Sequence, residues 1–204
     1  MSIAYESTRG HPHLAASIPA ARADRRDRVA GFVLEAAMLD MGLTAGVFFA
    51  FDVGVMVGLK KTGDRTFVEA MQEMNRSMNE SPVFLAILFG GPVLAAVAAV
   101  QQRRRGSRET TRWIVGSLAL SAVWFAVSVG VHFPLNDEIV RAGDPARIAD
   151  LAAVRERFEG PWVAWNIVRT VASTAALLCL GRALLLHGRS SQAGTLGPDT
   201  GGRM

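Results

Sequence analysis

Cysteine is almost absent: Cys179 stands alone among 204 residues, which excludes an internal disulfide framework, a CxxC redox pair and a cysteine zinc cluster. Lysine is scarce as well, with only Lys60 and Lys61 against 20 arginines. With abundant alanine, that ratio points to a GC-rich bacterial genome and so to a plasma membrane for any spanning segment. Charge is low overall, at 20% of residues against 50% hydrophobic, and mean hydropathy is +0.24. Such values argue against an ordinary soluble domain and against disorder over most of the chain. The basic balance, 22 Lys+Arg to 18 Asp+Glu, would suit a nucleic acid only as a basic face on a soluble fold. The apolar runs leave no such fold, so no nucleic-acid partner is expected. The first 28 residues lack an apolar core of signal-peptide type, so no cleaved signal is expected.

What is present is membrane-spanning sequence. Pro82 to Val100 and Trp113 to Val131 are 19 residues each without a charge, within the ~17–25 residues that cross a bilayer as a helix. Pro161 to Leu186 is rich in Ala, Val and Leu and carries Arg169 and Arg182. Val29 to Leu59 is longer and interrupted by Glu35, Asp40 and Asp52. Backbone groups in lipid must bond internally, so these segments predict an all-α four-helix transmembrane bundle. The spans fall at about 29–59, 82–101, 113–133 and 161–186 of a membrane domain covering 29–187, between a mostly disordered arm (1–28) and a disordered Gly/Ser-rich tail (188–204).

Arginine placement predicts the orientation. Arg9, Arg22, Arg25, Arg26 and Arg28 precede span one, Arg103, Arg104, Arg105, Arg108 and Arg112 join spans two and three, and Arg182, Arg189 and Arg203 follow. The opposite loops hold fewer cations, interleaved with acids, so both termini are expected in the cytoplasm. In the first outer loop, Thr66-x-x-Glu69 reads as a capping box, and Phe67, Met71, Met74 and Met78 form one apolar stripe. In the second, Asp144-Pro145 reads as a helix start, with Ile148, Leu151 and Phe158 on one face. Two short amphipathic helices are therefore expected in the outer loops.

Ionisable groups inside spans are costly unless paired or hydrated, which makes each a candidate for function. At ~1.5 Å per residue, Asp52 lies roughly 10 Å below the end of span one at Leu59, and Arg169 roughly 12 Å below the start of span four at Pro161. His132 and Asn136 flank an expected helix break at Pro134, Asn166 shares a face with Arg169, and Trp162 and Trp165 stand nearby. An acid, an imidazole, two amides, a guanidinium and two indoles thus converge on the outer half of the membrane. Plainer roles are open for each: a registry-fixing Asp52–Arg169 ion pair, an interfacial His132, an aromatic belt at Trp162 and Trp165, and simple packing for Cys179. The methionine stripe is either apolar packing or a soft copper site. Glu35 and Asp40 face either a crevice or the interface, and His11-Pro-His13 reads as part of the arm.

The run Gly46-Val-Phe-Phe-Ala-Phe-Asp-Val-Gly-Val-Met-Val-Gly-Leu59, followed by Phe67-Val-Glu-Ala-Met-Gln-Glu-Met-Asn75, Pro82-x-Phe84, Pro134-Leu-Asn-Asp137, Arg157-Phe-Glu and Trp162-x-x-Trp165-Asn-x-x-Arg169-Thr, resembles the anthrone oxygenase-like family of small four-span membrane proteins. The resemblance covers about Gly31 to Leu186. Asp52 stands where that family often has a small hydroxyl residue, and His132-Phe133 where Asn-Val is common. The resemblance implies oxygen-dependent oxidation of an anthrone-like aromatic polyketide, a lipophilic molecule able to reach the site from the bilayer. On that reading His132 is the base, oriented by Asp52; Arg169, Asn136 and Asn166 hold substrate oxygens; Trp162 and Trp165 stack on the rings. No flavin, haem or iron–sulfur signature is present, so no cofactor and no metal ligand set is implied. The alternative from another class is a non-enzymatic membrane protein that binds a lipophilic ligand or serves as a partner subunit, with homo-oligomerisation open to either. A transporter fits less well, since the chain has no paired inverted repeats.

Overall fold

The computed structural model describes residues 13–195, with side chains from 25 to 192; the readings for Met1–Pro12 and for 196–204 lie outside the described residues. Four helical stretches are long and apolar enough to cross a membrane: Arg25–Leu59, Pro82–Arg104, Arg108–Arg141 and Leu151–Gln192. No strand occurs among the described residues, and the protein is an all-α, multi-pass membrane bundle.

Span one is α1 (His13–Ala50), a π-helical turn (Phe51–Val55) and α2 (Met56–Leu59). α3 (Asp64–Glu80) lies between the first two spans, α4 (Pro82–Arg104) is span two, and span three is α5 (Arg108–Val127), a second π-helical turn (Ser128–His132) and α6 (Phe133–Arg141). α7 (Leu151–Thr195) is span four. α1 packs on α4 and α7, and α5 packs on the same two, so chain neighbours form an antiparallel ring. α1 begins at His13 and α7 ends at Thr195, so the helices of spans one and four extend into the segments whose composition suggested arm and tail.

The interior is stratified. Toward the arginine-rich end, Ala37, Ala95, Ala98, Ala176 and Ala183 pack with Leu34, Met41, Ile114 and Leu180, small side chains that let helices approach closely in lipid. A middle layer holds Phe48, Leu88, Trp124 and Ala172. The layer at the opposite end, capped by α3, joins Met56, Phe67, Val68, Met71, Ile139, Phe158 and Trp162. Large apolar residues such as Phe32, Leu39, Val93, Val171 and Leu178 are exposed around the bundle, as lipid contact requires. Hydroxyls and amides are turned inward, for example Thr44 to the Ile87 carbonyl at 3.0 Å and Gln102 to His187 Nδ1 at 3.0 Å.

The first amphipathic stretch forms α3, with Phe67, Val68 and Met71 buried. The second is not a separate helix. Asp144 closes only a turn, accepting from the Ala146 N–H at 2.9 Å, and the helix starts at Leu151, where Asp150 accepts from the Ala153 N–H at 2.9 Å. It then runs on through Pro161 into the membrane, so Leu151 and Phe158 belong to span four. Nor does Pro134 break span three. In the preceding π turn the Phe133 N–H reaches back five residues to the Ser128 carbonyl, a wider turn that makes room for the pyrrolidine ring that follows.

Candidate active site

Both π turns lie beside the polar cluster, in the half of the bundle remote from the arginine-rich end. Such turns insert one residue into a helix and re-aim its side chains, and they occur frequently at functional sites. The turn in span one carries Asp52, and the turn in span three carries Ser128 and His132.

Asn166, fully buried on α7, is the hub. Its Nδ2 donates to Asp52 Oδ1 at 2.6 Å and to the Phe48 carbonyl at 2.9 Å, and its Oδ1 accepts from Arg169 Nη2 at 2.6 Å. Asp52 Oδ2 accepts from the Thr170 hydroxyl at 2.5 Å. Carboxylate and guanidinium are therefore not a direct pair: an amide bridges them, and both carboxylate oxygens are occupied. Arg169 Nη1 reaches Ser128 Oγ at 3.5 Å, and Ser128 donates to the Trp124 carbonyl at 2.9 Å. The guanidinium sits 4.3 Å from the Phe48 ring centroid and 5.5 Å from that of Trp162, where the ring faces favour a cation. Arg169 is 8% exposed, and its Nε has no hydrogen-bond partner.

Arg169 looks into a cavity of about 50 Å³. Asn136 and Ser128 supply further polar wall; Met71, Met74 and Met78 of α3, with Phe84 and Leu88 of α4, supply the apolar wall. Trp162 also lines it and donates from Nε1 to Asn136 Oδ1 at 3.0 Å. The methionine stripe therefore packs over the site, and the one charged side chain on the wall is a cation.

The structure brings Asp52, Asn136, Trp162, Asn166 and Arg169 into one network but separates two of the expected residues from it. Trp165 is 43% exposed on the lipid side and does not line the cavity; on α7 it lies one residue off the buried row Trp162, Asn166, Arg169, Ser173. His132 is completely buried, its ring set edge-on to Trp162 with centroids 5.1 Å apart. Neither ring nitrogen meets a hydrogen-bond partner, and Asp52, with both oxygens engaged elsewhere, does not orient it. Of the remaining acids, Asp40 packs against Gly90 and Gly91 of α4, where an added Cβ would stand 2.9 and 2.6 Å from its oxygens.

Three groups escaped the sequence reading. Thr170 and Ser128 complete the network; Thr170 was findable, since it follows Asn166 by one helical turn. Arg155 ties the α3 end of the bundle together. It donates to Glu159 at 2.7 Å, Asp64 at 3.0 Å and the carbonyls of Thr62 and Lys60 at 2.9 and 3.1 Å, and it lies 4.6 Å from the Phe67 ring centroid. Among the described residues no group of three or more His, Cys, Asp or Glu could hold a metal ion.

A family model described as anthrone oxygenase matches residues 81–179, from the cap of α4 to the middle of α7. The matched stretch includes His132, Asn136, Trp162, Asn166 and Arg169, while Asp52 and α3 lie before it. No curated protein and no solved structure matches the chain.

Proposed function

We propose, from the match of residues 81–179 to the anthrone oxygenase family model, that this integral membrane protein oxidises an anthrone-like aromatic polyketide with dioxygen at the Arg169 cavity. The observation that carries the reading is the buried Arg169 guanidinium on the wall of a cavity that no acidic side chain lines. A fixed cation in a low-dielectric site stabilises negative charge on oxygen as it develops. The chemistry needs little else. Loss of a ring-methylene proton gives an enolate, whose carbon adds dioxygen; protonation of the peroxide and loss of water leave the ketone. Anthrone and dioxygen thus become anthraquinone and water.

In this reading Arg169 holds the developing oxyanion, with Asn136 beside it, and Asn166 and Asp52 fix the guanidinium from behind. His132, buried edge-on to Trp162 and off the cavity wall, takes the proton once Trp162 turns aside and brings it within hydrogen-bonding reach of the ring methylene. The rings of a tricyclic substrate need several times the present space, since pockets for such ligands run to about 300–1,000 Å³. They therefore stay outside it, against Met74 and Met78, whose thioether side chains adapt to them. The site lies in the outer half of a plasma-membrane bundle with both termini in the cytoplasm.

The test is oxygen uptake by the detergent-purified chain with a simple anthrone. One dioxygen consumed per quinone, faster than the spontaneous reaction and without hydrogen peroxide, is expected. Folded protein that binds the anthrone without turnover would make this a lipophile-binding protein.

A further inference from the structure

We infer that the Arg169 cavity is a site for a small monovalent anion of two or three heavy atoms, and that in the reaction proposed above its occupant is dioxygen as it takes up one electron from the anthrone enolate, the resulting superoxide and ring-carbon radical then combining as the peroxide at the cavity mouth, with the rings outside. The clause on dioxygen rests on the oxidase reading; the anion site does not. Size comes first. About 50 Å³ exceeds the ~10–15 Å³ that one water requires and falls far short of a ring system. Charge comes second. Arginine stays protonated even when buried, and here its guanidinium lacks a direct carboxylate partner because Asn166 and Thr170 take both oxygens of Asp52. Its Nε is sealed within the protein without a partner, and its Nη1 meets only Ser128, at a long 3.5 Å. Donor capacity and positive charge are left over on the wall.

The same charge argues against the other small occupant the sequence suggested. Three thioethers, Met71, Met74 and Met78, line the cavity and would suit a soft cation, but no carboxylate lines it with them and Arg169 repels a bare ion. The methionines instead form the polarisable wall behind an anion, and Leu88, Phe84 and Phe48 complete the apolar lining.

Azide is the probe: a linear three-atom anion whose infrared stretch reports its surroundings. Titrated into the purified full chain without substrate, it is expected to bind saturably and to be displaced by bromide. Arg169→Leu should weaken binding at least tenfold and Arg169→Lys only a few-fold. Leu88→Trp, which fills the cavity and leaves every charge in place, should abolish binding in protein that still folds. Asp52→Asn removes the opposing charge behind Asn166 and should tighten binding several-fold. In turnover, azide should compete with dioxygen and not with the anthrone. Absence of saturable binding to folded wild type overturns the inference, as does binding that survives Leu88→Trp, or turnover in which azide fails to compete with dioxygen. Arg169-dependent binding in a protein that never oxidises an anthrone upholds the anion site and rejects the oxidase reading instead.

Discussion

A buried arginine in a membrane bundle is costly unless its surroundings answer its charge, and Arg169 is answered indirectly: two aromatic faces, one amide and a carboxylate beyond that amide. Replacing Asn166 by Ala therefore strips donors from Asp52 and the Phe48 carbonyl and an acceptor from Arg169 at once. Each buried polar group left unpaired costs about 1–3 kcal/mol, so Asn166→Ala should lower the melting temperature by more than Arg169→Leu does. Differential scanning of both variants in one detergent checks this; equal shifts would mean that Asn166 does not bridge. The polar residues themselves were legible, since charges and amides stand out in Ala/Leu-rich spans. Their connection was not, because a depth match between Asp52 and Arg169 cannot reveal an amide interposed between them. Trp165 shows the same limit. Three residues from Trp162 looks like a shared face, yet the buried row of α7 continues through Asn166, and one residue of rotation separates cavity from lipid.

Between the packed helices, individual polar and steric contacts set local order. Arg155 gathers Lys60, Thr62, Asp64 and Glu159, so Arg155→Ala should free the start of α3 and raise hydrogen exchange across residues 60–67, while the core of α5 stays protected. Unchanged exchange would show that packing of Phe67 and Met71 holds α3 unaided. Between α1 and α4 the contact is steric: Gly91→Ala places a Cβ 2.6 Å from Asp40 Oδ2, an overlap costing about 1–3 kcal/mol in a packed interior. The double variant with Asp40→Ala should recover most of that loss, and additive losses would show that the two residues do not meet. The span pattern and the amphipathic character of α3 were readable from apolar runs and the methionine spacing. The continuity of α6 and α7 was not. Proline and Asx signals suggest boundaries, whereas a π turn before Pro134 and a competing cap at Asp150 decided where helices started and continued.

For the whole molecule, low charge, exposed apolar side chains and inward-turned hydroxyls describe a bundle built for lipid, with its chemistry-bearing residues gathered at one end. The arginine distribution predicts that this end faces outward. With Cys179→Ser as background, an Arg76→Cys substitution should be labelled by an impermeant maleimide on intact cells, and Arg108→Cys only after permeabilisation; the reverse would invert the topology. The central claim, that the outer cavity performs oxygen chemistry through Arg169, is tested most directly by the initial rate of anthrone-dependent oxygen uptake for wild type and Arg169→Leu at matched folded protein. A wild-type rate above background that falls to background in the variant is the predicted result. Equal rates in the two proteins would contradict the claim.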